Sequence, residues 1–316
     1  MGWQPGPEDE SNLEVRLNVG AGKFGAPVNY PVTGAYALAV GDLNDDGYDD
    51  LVVASPIEGT VSVSLNNGDG TFAEPVYTVA ASLIHLALAD VDRDGWLDVV
   101  YVANVVAESI GVLLNVGEGV LAPPVLYPAN AGGGTESLAT NDFDADGWPD
   151  LAFPDENSET LRLLFNQGDG TFAPPVELDV PPYLRAIRTA DVDGDDRPDI
   201  VLTRGSSVVV LLNRGNRSFA PAVEYPASRS FALWSTEAVD LDGDGELDLA
   251  SPTSIGIVSV RFNRGDGTFG DAHYYDGHAY ALSLAAADLN NDGRSDLLVA
   301  NTEFNAVTVL LNSCFP

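Results

Sequence analysis

Short apolar runs alternate with acidic and glycine-rich stretches along the whole chain. An alanine-containing run such as YALAV (36–40) precedes an acidic segment, and a second apolar run such as DLVVA (50–54) follows it. A third run ends in Asn, as in VSVSLN (61–66), and a glycine turn leads to a fourth that opens with proline, as in EPVYTV (74–79). Runs of this length, rich in β-branched residues and bounded by turn residues, predict β-strands. The pattern therefore predicts four short strands in each repeat.

Each acidic segment is a nine-residue loop that begins and ends with Asp. The six loops are DLNDDGYDD (42–50), DVDRDGWLD (90–98), DFDADGWPD (142–150), DVDGDDRPD (191–199), DLDGDGELD (240–248) and DLNNDGRSD (288–296). Their first residues lie about 50 residues apart, a period typical of solenoids and propellers.

The acidic residues of a loop would repel one another strongly unless a cation lay among them. Loop positions one, three, five and nine offer side-chain oxygens, and position seven offers a backbone carbonyl. Such an all-oxygen set suits calcium better than zinc or copper. An EF-hand would need Glu at position twelve, but the residues there are Val53, Tyr101, Phe153, Leu202, Ser251 and Val299. The loops are therefore predicted to bind calcium without being EF-hands.

We expect up to six Ca²⁺ ions, one in each loop. The predicted ligands are Asp42, Asn44, Asp46, Tyr48 and Asp50 in the first loop; Asp90, Asp92, Asp94, Trp96 and Asp98 in the second; Asp142, Asp144, Asp146, Trp148 and Asp150 in the third; Asp191, Asp193, Asp195, Arg197 and Asp199 in the fourth; Asp240, Asp242, Asp244, Glu246 and Asp248 in the fifth; and Asp288, Asn290, Asp292, Arg294 and Asp296 in the sixth. In the fourth loop Asp196 replaces the turn glycine, so a non-glycine residue must adopt a positive φ. We expect a weaker site there.

The positions of proline and alanine indicate how the strands are arranged. Proline in the fourth strand places that strand at an exposed edge, where a missing N–H is harmless. Alanine in the first strand suits a position where blades crowd around a central axis. Four-stranded antiparallel blades repeated radially form an all-β propeller. We predict an N-terminal tail at residues 1–12 and a single propeller domain at residues 13–316, since a repeat cannot bury its own core alone.

The loops and the four-strand repeat resemble the FG-GAP or VCBS repeats of integrin α-subunit propellers, of some fungal lectins and of many bacterial surface proteins. The resemblance covers residues 13–312. It implies that each loop joins the first and second strands of a blade, on one face of the disc. Propellers of this family usually have seven blades, whereas this chain encodes six loops.

Closure of the ring follows from counting strands. The strand that ends in Asn occurs seven times, from LEVRLN (13–18) to VTVLLN (307–312). Six blades close most simply if the proline strand near residues 26–32 completes the blade built by residues 282–312, which leaves LEVRLN as a surplus strand or an alternative partner. The alternative is a fragment of a seven-bladed or longer array.

Composition narrows the partners and the setting. The formal net charge of −34 argues against nucleic acid and against anionic membrane surfaces. The single cysteine, Cys314, allows no intramolecular disulfide, and no apolar stretch reaches the length of a membrane span. Extracellular calcium modules bind with a Kd of roughly 10⁻⁴ to 10⁻³ M, so cytosolic calcium would leave such sites almost empty. We therefore expect an extracellular setting, secreted or at the cell surface.

The innermost strand departs from its own pattern in the third to fifth repeats. Three residues before the first loop Asp the series runs Ala39, Ala87, Ala139, Arg188, Glu237 and Ala285. Six residues before it the series runs Tyr36, Ile84, Glu136, Arg185, Trp234 and Leu282. One interpretation is that Arg188 and Glu237 pair across adjacent blades and line a wet channel. The other is a ligand site on the face opposite the loops, formed by Tyr36, Glu136, Arg185, Arg188, Trp234 and Glu237.

Two functional classes fit these patterns. The first is a binding module, adhesive or lectin-like, for a glycan or a cell-surface protein, and it is favoured because the irregular residues cluster in consecutive repeats. The second is a structural spacer in a larger surface protein. The chain has three histidines, no G-x-S-x-G and no H-E-x-x-H, so we expect no enzymatic activity and place a carbohydrate-active enzyme last.

Overall fold

The regular secondary structure of the described residues consists entirely of β-strands. The computed structural model describes residues 12–80, 83–103, 109–128, 137–155, 160–227, 232–278, 281–302 and 306–313. Within these ranges no helix has the length and apolarity to cross a lipid bilayer. The all-β prediction is confirmed.

The strands are grouped in blades that follow the sequence repeat. The first four strands are β1 (Asn12–Val15), β2 (Asn18–Gly20), β3 (Lys23–Phe24) and β4 (Val28–Pro31). Blade 1 contains β5 (Ala37–Gly41), β6 (Asp50–Ser55), β7 (Thr60–Ser64) and β8 (Val76–Val79). Blade 2 contains β9 (Leu83–Ala89), β10 (Asp98–Ala103), β11 (Ser109–Leu113) and β12 (Val125–Pro128). Blade 3 contains β13 (Ala139–Asn141), β14 (Asp150–Asp155), β15 (Thr160–Leu164) and β16 (Val176–Asp179).

The second half of the chain continues the series. Blade 4 contains β17 (Leu184–Ala190), β18 (Asp199–Arg204), β19 (Ser207–Leu211) and β22 (Val223–Pro226), with a small hairpin of β20 (Asn213–Gly215) and β21 (Ser218–Phe219) in its glycine turn. Blade 5 contains β23 (Glu237–Val239), β24 (Asp248–Pro252), β25 (Ile257–Arg261) and β26 (His273–Asp276). Blade 6 contains β27 (Ala281–Ala287), β28 (Asp296–Asn301) and β29 (Ala306–Leu310).

The six blades form a propeller, as the sequence predicts. Within each blade the strands pair antiparallel in chain order, four in blades 1 to 5 and three among the described residues of blade 6. The inner strands of consecutive blades contact one another from blade 1 to blade 6. The fourth strands are mostly exposed outer edges, as their prolines predict. The acidic loops join the first and second strands, so they lie together on one face.

The hydrophobic core lies between blades. Five clusters of buried residues are each shared by two consecutive blades: for example, Val52 and Val61 of blade 1 pack with Val99 and Tyr101 of blade 2. Gly111 is required beside Tyr101, because a Cβ there would lie 2.1 Å from the tyrosine ring. Each blade therefore depends on its neighbours for the burial of its apolar side chains.

Ring closure differs from the prediction. β4 does not complete blade 6 but pairs with β1, with Leu13 opposite Tyr30 and Val15 opposite Val28. The prediction that the proline strand near residues 26–32 completes the last blade is therefore wrong. A short connection containing the β2–β3 hairpin joins the two strands, so their pairing closes a small loop, whereas pairing with β29 would join distant parts of the chain. We call the two-stranded sheet of β1 and β4 the half-blade.

Candidate metal loops and axial site

Backbone hydrogen bonds hold the acidic loops in a common shape. In the second loop Asp94 N–H donates to Asp90 Oδ1 at 3.1 Å, and Gly95 N–H donates to Asp90 Oδ2 at 3.0 Å. Gly95 has a φ of 98°, in the left-handed region that favours glycine. Trp96 N–H donates to Asp94 Oδ1 at 2.9 Å. The same bonds recur in the first, third and sixth loops.

Four of the loops bring three carboxylates together. The oxygens of each group lie within 4.8 Å of one another, and the groups are Asp90, Asp92 and Asp94; Asp142, Asp144 and Asp146; Asp191, Asp193 and Asp199; and Asp240, Asp242 and Asp248. Converging hard oxygen donors of this kind can hold a divalent metal ion. The donor set therefore fits the predicted group.

The first and sixth loops carry Asn at position three. Asn44 Nδ2 donates to Asp46 Oδ2 at 3.0 Å, and Asn290 Nδ2 donates to Asp292 Oδ2 at 3.1 Å. Each amide replaces one negative charge and retains an oxygen that could bind a metal. At positions one, three, five and nine these two loops therefore carry three carboxylates, one fewer than the other four loops.

The Asp at position nine has a structural task in addition to its predicted role as a ligand. Asp98 is fully buried, and its two carboxylate oxygens accept from Val91 N–H and Asn115 N–H, both at 2.8 Å. All six loops share this arrangement, with the other acceptors being Asp50, Asp150, Asp199, Asp248 and Asp296. One side chain thus ties the loop to the end of the third strand.

Burial and neighbouring carboxylates raise the pKa of four of these aspartates. Burial raises the pKa of Asp98 and Asp150 to about 7, and that of Asp199 and Asp248 to about 6. The nearby loop aspartates add to the rise, whereas the two backbone N–H groups oppose it. A bound cation would favour the ionised form and reverse the shift.

The fourth loop is the irregular one. Asp196 takes a φ of 63°, so it adopts the left-handed conformation that the other loops assign to glycine. The guanidinium of Arg197 contacts the carboxylate of Asp195, a predicted ligand. Both features support the expectation of a weaker metal site.

We therefore expect Asp92→Ala to reduce stability in calcium more than Asp195→Ala does. An intact site with a Kd near 10⁻⁴ M would stabilise the fold by about 1.4 kcal/mol in about 1 mM calcium, and the fourth loop by clearly less. Urea unfolding of both variants in calcium provides the measurement. Equal losses would show that Asp196 and Arg197 do not weaken the fourth loop.

The residues at position seven also contact the glycine turn of their own blade. A Cβ added at Gly68, Gly117 or Gly168 would lie 2.9, 3.7 or 3.5 Å from the ring of Tyr48, Trp96 or Trp148, respectively. These aromatic rings therefore pack the acidic loops against the glycine turn of the same blade.

On the inner strands, four of the predicted ligand-site residues form two pairs between blades 4 and 5. The Arg188 guanidinium lies 3.1 Å from Glu237 Oε1, which is the cross-blade ion pair of the channel interpretation. The Arg185 guanidinium lies 4.0 Å from the centre of the Trp234 ring, a cation–π contact. Trp234 remains 39% exposed. The structure thus places three charged side chains and an exposed aromatic ring at one inter-blade boundary.

The other two predicted ligand-site residues do not join this group. Tyr36 lies in blade 1 and is strongly exposed, and within the described ranges no hydrogen bond or ring contact links it to the other four. Glu136 lies outside the described residues.

His85 is a further candidate residue that the two residue series did not identify. It lines an axial cavity of about 290 Å³ between the inner strands, together with Thr140, Arg188 and Thr189. Its Nδ1 is buried without a hydrogen-bond partner, and burial, with a smaller contribution from Arg188, lowers its pKa to about 4. Five residues before the first loop Asp the other repeats carry only Ala or Ser. Comparison of this position among the six repeats would have identified His85 from the sequence.

Comparison with known families and structures identifies the repeat. A family model described as FG-GAP-like repeat matches residues 42–101, 90–153, 142–202, 191–251 and 253–299. No curated protein matches this sequence. Among solved structures, a lectin of Agrocybe aegerita, described by its specific recognition of non-reducing terminal N-acetylglucosamine, is 22% identical with a TM-score of 0.63, over 89% of this chain and 81% of the lectin.

Two further propellers share the architecture. The periplasmic gluconolactonase PpgL of Pseudomonas aeruginosa is 16% identical with a TM-score of 0.66, over 91% of this chain and 84% of the enzyme. BBS1N, solved in complex with ARL6DN, is 11% identical with a TM-score of 0.60, over 96% of this chain and 84% of BBS1N. Identities this low relate the folds alone.

The gluconolactonase corrects the expectation of no enzymatic activity. That expectation rested on missing motifs and few histidines, but a propeller of the same architecture is an enzyme. A fold does not decide function. The scarcity of histidines in this chain therefore does not exclude catalysis.

Proposed function

This chain belongs to the family of FG-GAP-like repeat proteins, and on that premise we propose that it is a calcium-dependent, extracellular binding module that recognises a glycan. The proposal rests on two contacts at the boundary of blades 4 and 5. The Arg185 guanidinium stacks on the exposed Trp234 ring, and Arg188 forms an ion pair with Glu237. An aromatic face next to charged hydrogen-bonding groups suits a ligand that is polar at its edges and apolar on its face, as a sugar ring is.

The cation–π contact and the ion pair restrain the side chains of the proposed site. Arg185 lies on the Trp234 ring and limits its rotation, while 39% of the residue stays exposed for stacking. Arg188 pairs with Glu237, so both side chains are oriented before a ligand arrives. Preorganised side chains lose less conformational entropy on binding.

The proposed site is separate from the metal loops. Arg185 precedes the first Asp of its loop, Asp191, by six residues of a largely extended strand. At about 3.3 Å per residue the two ends of the strand lie about 20 Å apart. Loss of the aromatic residue should therefore affect ligand binding without disturbing a metal site directly.

The calcium part of the proposal rests on the converging carboxylates of the loops. Calcium, when bound, would neutralise part of their charge and link loop positions one, three, five and nine. Modules with a Kd of roughly 10⁻⁴ to 10⁻³ M fill only at extracellular calcium levels, which supports a secreted or cell-surface setting.

The fold relatives support a binding role without identifying its ligand. The Agrocybe aegerita lectin is described by its recognition of N-acetylglucosamine, and BBS1N is bound to a protein. We favour a glycan because the exposed group at the boundary of blades 4 and 5 is one aromatic ring with charged neighbours, whereas protein interfaces use broader surfaces. A cell-surface protein is the competing partner.

Trp234→Ala is expected to weaken glycan binding by about tenfold or more, because loss of one stacking contact costs about 1.4 kcal/mol. A glycan array probed with the unmodified chain in calcium selects the ligand, and titration calorimetry then compares the variants. Tyr274→Ala is the matched control, since Tyr274 is also exposed and lies in the outer strand of the same blade.

Thermal melting in calcium distinguishes the outcomes. The proposal requires that Trp234→Ala bind more weakly with a nearly unchanged melting temperature. If Trp234→Ala unfolds the protein but the surviving folded fraction binds normally, Trp234 is a packing residue and the site is wrong. If the unmodified chain binds no glycan, the protein-partner and spacer alternatives take precedence.

A further inference from the structure

The half-blade occupies the position of a seventh blade beside blade 6. Asn18, just after β1, donates its side-chain amide to Leu289 O at 3.0 Å. In blades 2 to 6 the Asn at the end of the third strand donates in the same way to the preceding blade, where the acceptor is the carbonyl of the second residue of the acidic loop. The pairs are Asn115 with Leu43, Asn166 with Val91, Asn213 with Phe143, Asn263 with Val192 and Asn312 with Leu241. The half-blade therefore docks on blade 6 as each of blades 2 to 6 docks on its predecessor.

The half-blade also contacts blade 1 in the manner of a preceding blade. The Tyr30 hydroxyl accepts from Phe72 N–H at 3.1 Å, and the two rings meet edge to face at 5.7 Å. The same edge-to-face pair joins blades 2 and 3 through Tyr127 and Phe172 at 5.3 Å. The half-blade thus lies between blade 6 and blade 1 and supplies the outer strands of a seventh position.

The inner wall of blade 1 is exposed next to the half-blade. Leu38, four residues before the first loop Asp, is 48% exposed. The five residues at the same repeat position in blades 2 to 6 are at most 4% exposed: Leu86, Leu138, Ile187, Thr236 and Leu284. A preceding inner strand covers each of these five, so the exposure of Leu38 marks where such a strand would pack.

Blade 6 presents the opposite wall. Val307 in β29 is 59% exposed, whereas its counterparts are at most 1% exposed: Val61, Ile110, Leu161, Val208 and Val258. Val307, Leu298 and Ala300 line a cleft of about 700 Å³ whose far side is formed by Glu14 and Arg16. Apolar side chains from blade 6 and an unpaired edge of β1 therefore face one cleft.

Asn66 at the end of the third strand of blade 1 indicates what the cleft accepts. Its backbone N–H donates to Asp50 as in the other blades, but among the residues that the structure describes its side-chain amide donates only to Asp49 O, within its own blade, at 2.9 Å. The side-chain amide of each counterpart makes a second hydrogen bond, to a carbonyl in the acidic loop of the preceding blade, as Asn115 does to Leu43. The side-chain amide of Asn66 thus lies where it could donate to the second residue of an acidic loop in a preceding blade.

We propose that the cleft between blade 6 and blade 1 is a docking site for a polypeptide hairpin of the same repeat, composed of a small-residue strand, an acidic loop and an apolar strand. The apolar strand would pair along β1, and the small-residue strand would cover Leu38. The partner continues an interface that the chain itself repeats between all its blades.

Two other occupants fit the cleft less well. A second copy has the same cleft and uses each of its described inner hairpins within its own blades, so it has none to donate. Residues 1–11 are too few, because the inner hairpin of blade 1 alone takes residues 37–55. The proposed occupant is therefore another polypeptide segment that carries the repeat pattern.

A variant in which a copy of residues 67–103 follows Asn312 tests the proposal. This copy contains a glycine turn, a fourth strand and the inner hairpin of blade 2 in the register of the repeat. We expect it to raise the melting temperature by about 10 °C and to add one calcium ion to the bound total. The control carries the same segment with Val100→Asp and Val102→Asp within the copy, which removes its apolar strand.

Binding in trans to the unmodified chain provides a second measurement. A synthetic peptide of residues 83–103 should bind saturably, and Leu38→Glu or Val307→Glu should weaken that binding by about tenfold or more while leaving the melting temperature unchanged, since both side chains are half exposed. An appended segment that stays sensitive to protease and leaves the melting temperature unchanged overturns the proposal. So does a dimer of the unmodified chain, seen by sedimentation, that Val307→Glu dissociates, because the occupant would then be a second copy.

Discussion

Calcium at about 1 mM is expected to raise the free energy of unfolding of the chelated protein by about 8 kcal/mol. Five sites with a Kd near 10⁻⁴ M would each contribute about 1.4 kcal/mol, and the weaker fourth loop would add a smaller amount. The gain rivals the whole stability of an ordinary domain. Its physical source is the release of repulsion among aspartates whose oxygens lie within 4.8 Å of one another.

Urea unfolding in calcium and in EDTA measures this difference. Sodium chloride at matched ionic strength controls for general screening of the charge of −34. Magnesium is a second control, because it dehydrates reluctantly and demands a stricter geometry. Identical unfolding curves in calcium and in EDTA would contradict the metal assignment.

Asp98→Ala is expected to destabilise the protein by about 2 to 6 kcal/mol even without metal. The substitution leaves the N–H groups of Val91 and Asn115 buried without their acceptor, and each such loss costs about 1 to 3 kcal/mol. The measurement is urea unfolding in EDTA, where no metal contributes.

Asp92→Ala is the matched control for this substitution. Asp92 belongs to the same loop, but burial and the neighbouring Asp94 and Asp90 raise the pKa of its carboxyl group. Its removal in EDTA should be neutral or slightly stabilising, and its cost should appear only in calcium. If Asp98→Ala also loses stability only in calcium, position nine is a metal ligand without the structural task described above.

The sequence determined the features that depend on neighbouring residues along the chain. The alternation of apolar and turn residues specifies each strand within a residue or two, as β5 and β6 show for the predicted runs at 36–40 and 50–54. The loop shape follows from a glycine with positive φ and from carboxylates that reach backbone N–H groups of the same loop. Repetition of such local units around a ring follows from their shared period.

Only the tertiary structure decided which distant groups meet. The partner of β4, the carbonyl that each Asn side chain reaches in the preceding blade, and the stacking of Arg185 on Trp234 all join residues far apart in sequence. The repeat pattern already distinguishes His85, but only the packing of the inner strands shows that its Nδ1 is buried in a cavity that Arg188 also lines. The physical reason is that many strands of one pattern are interchangeable partners by composition, and the choice among them depends on loop closure and on packing between blades.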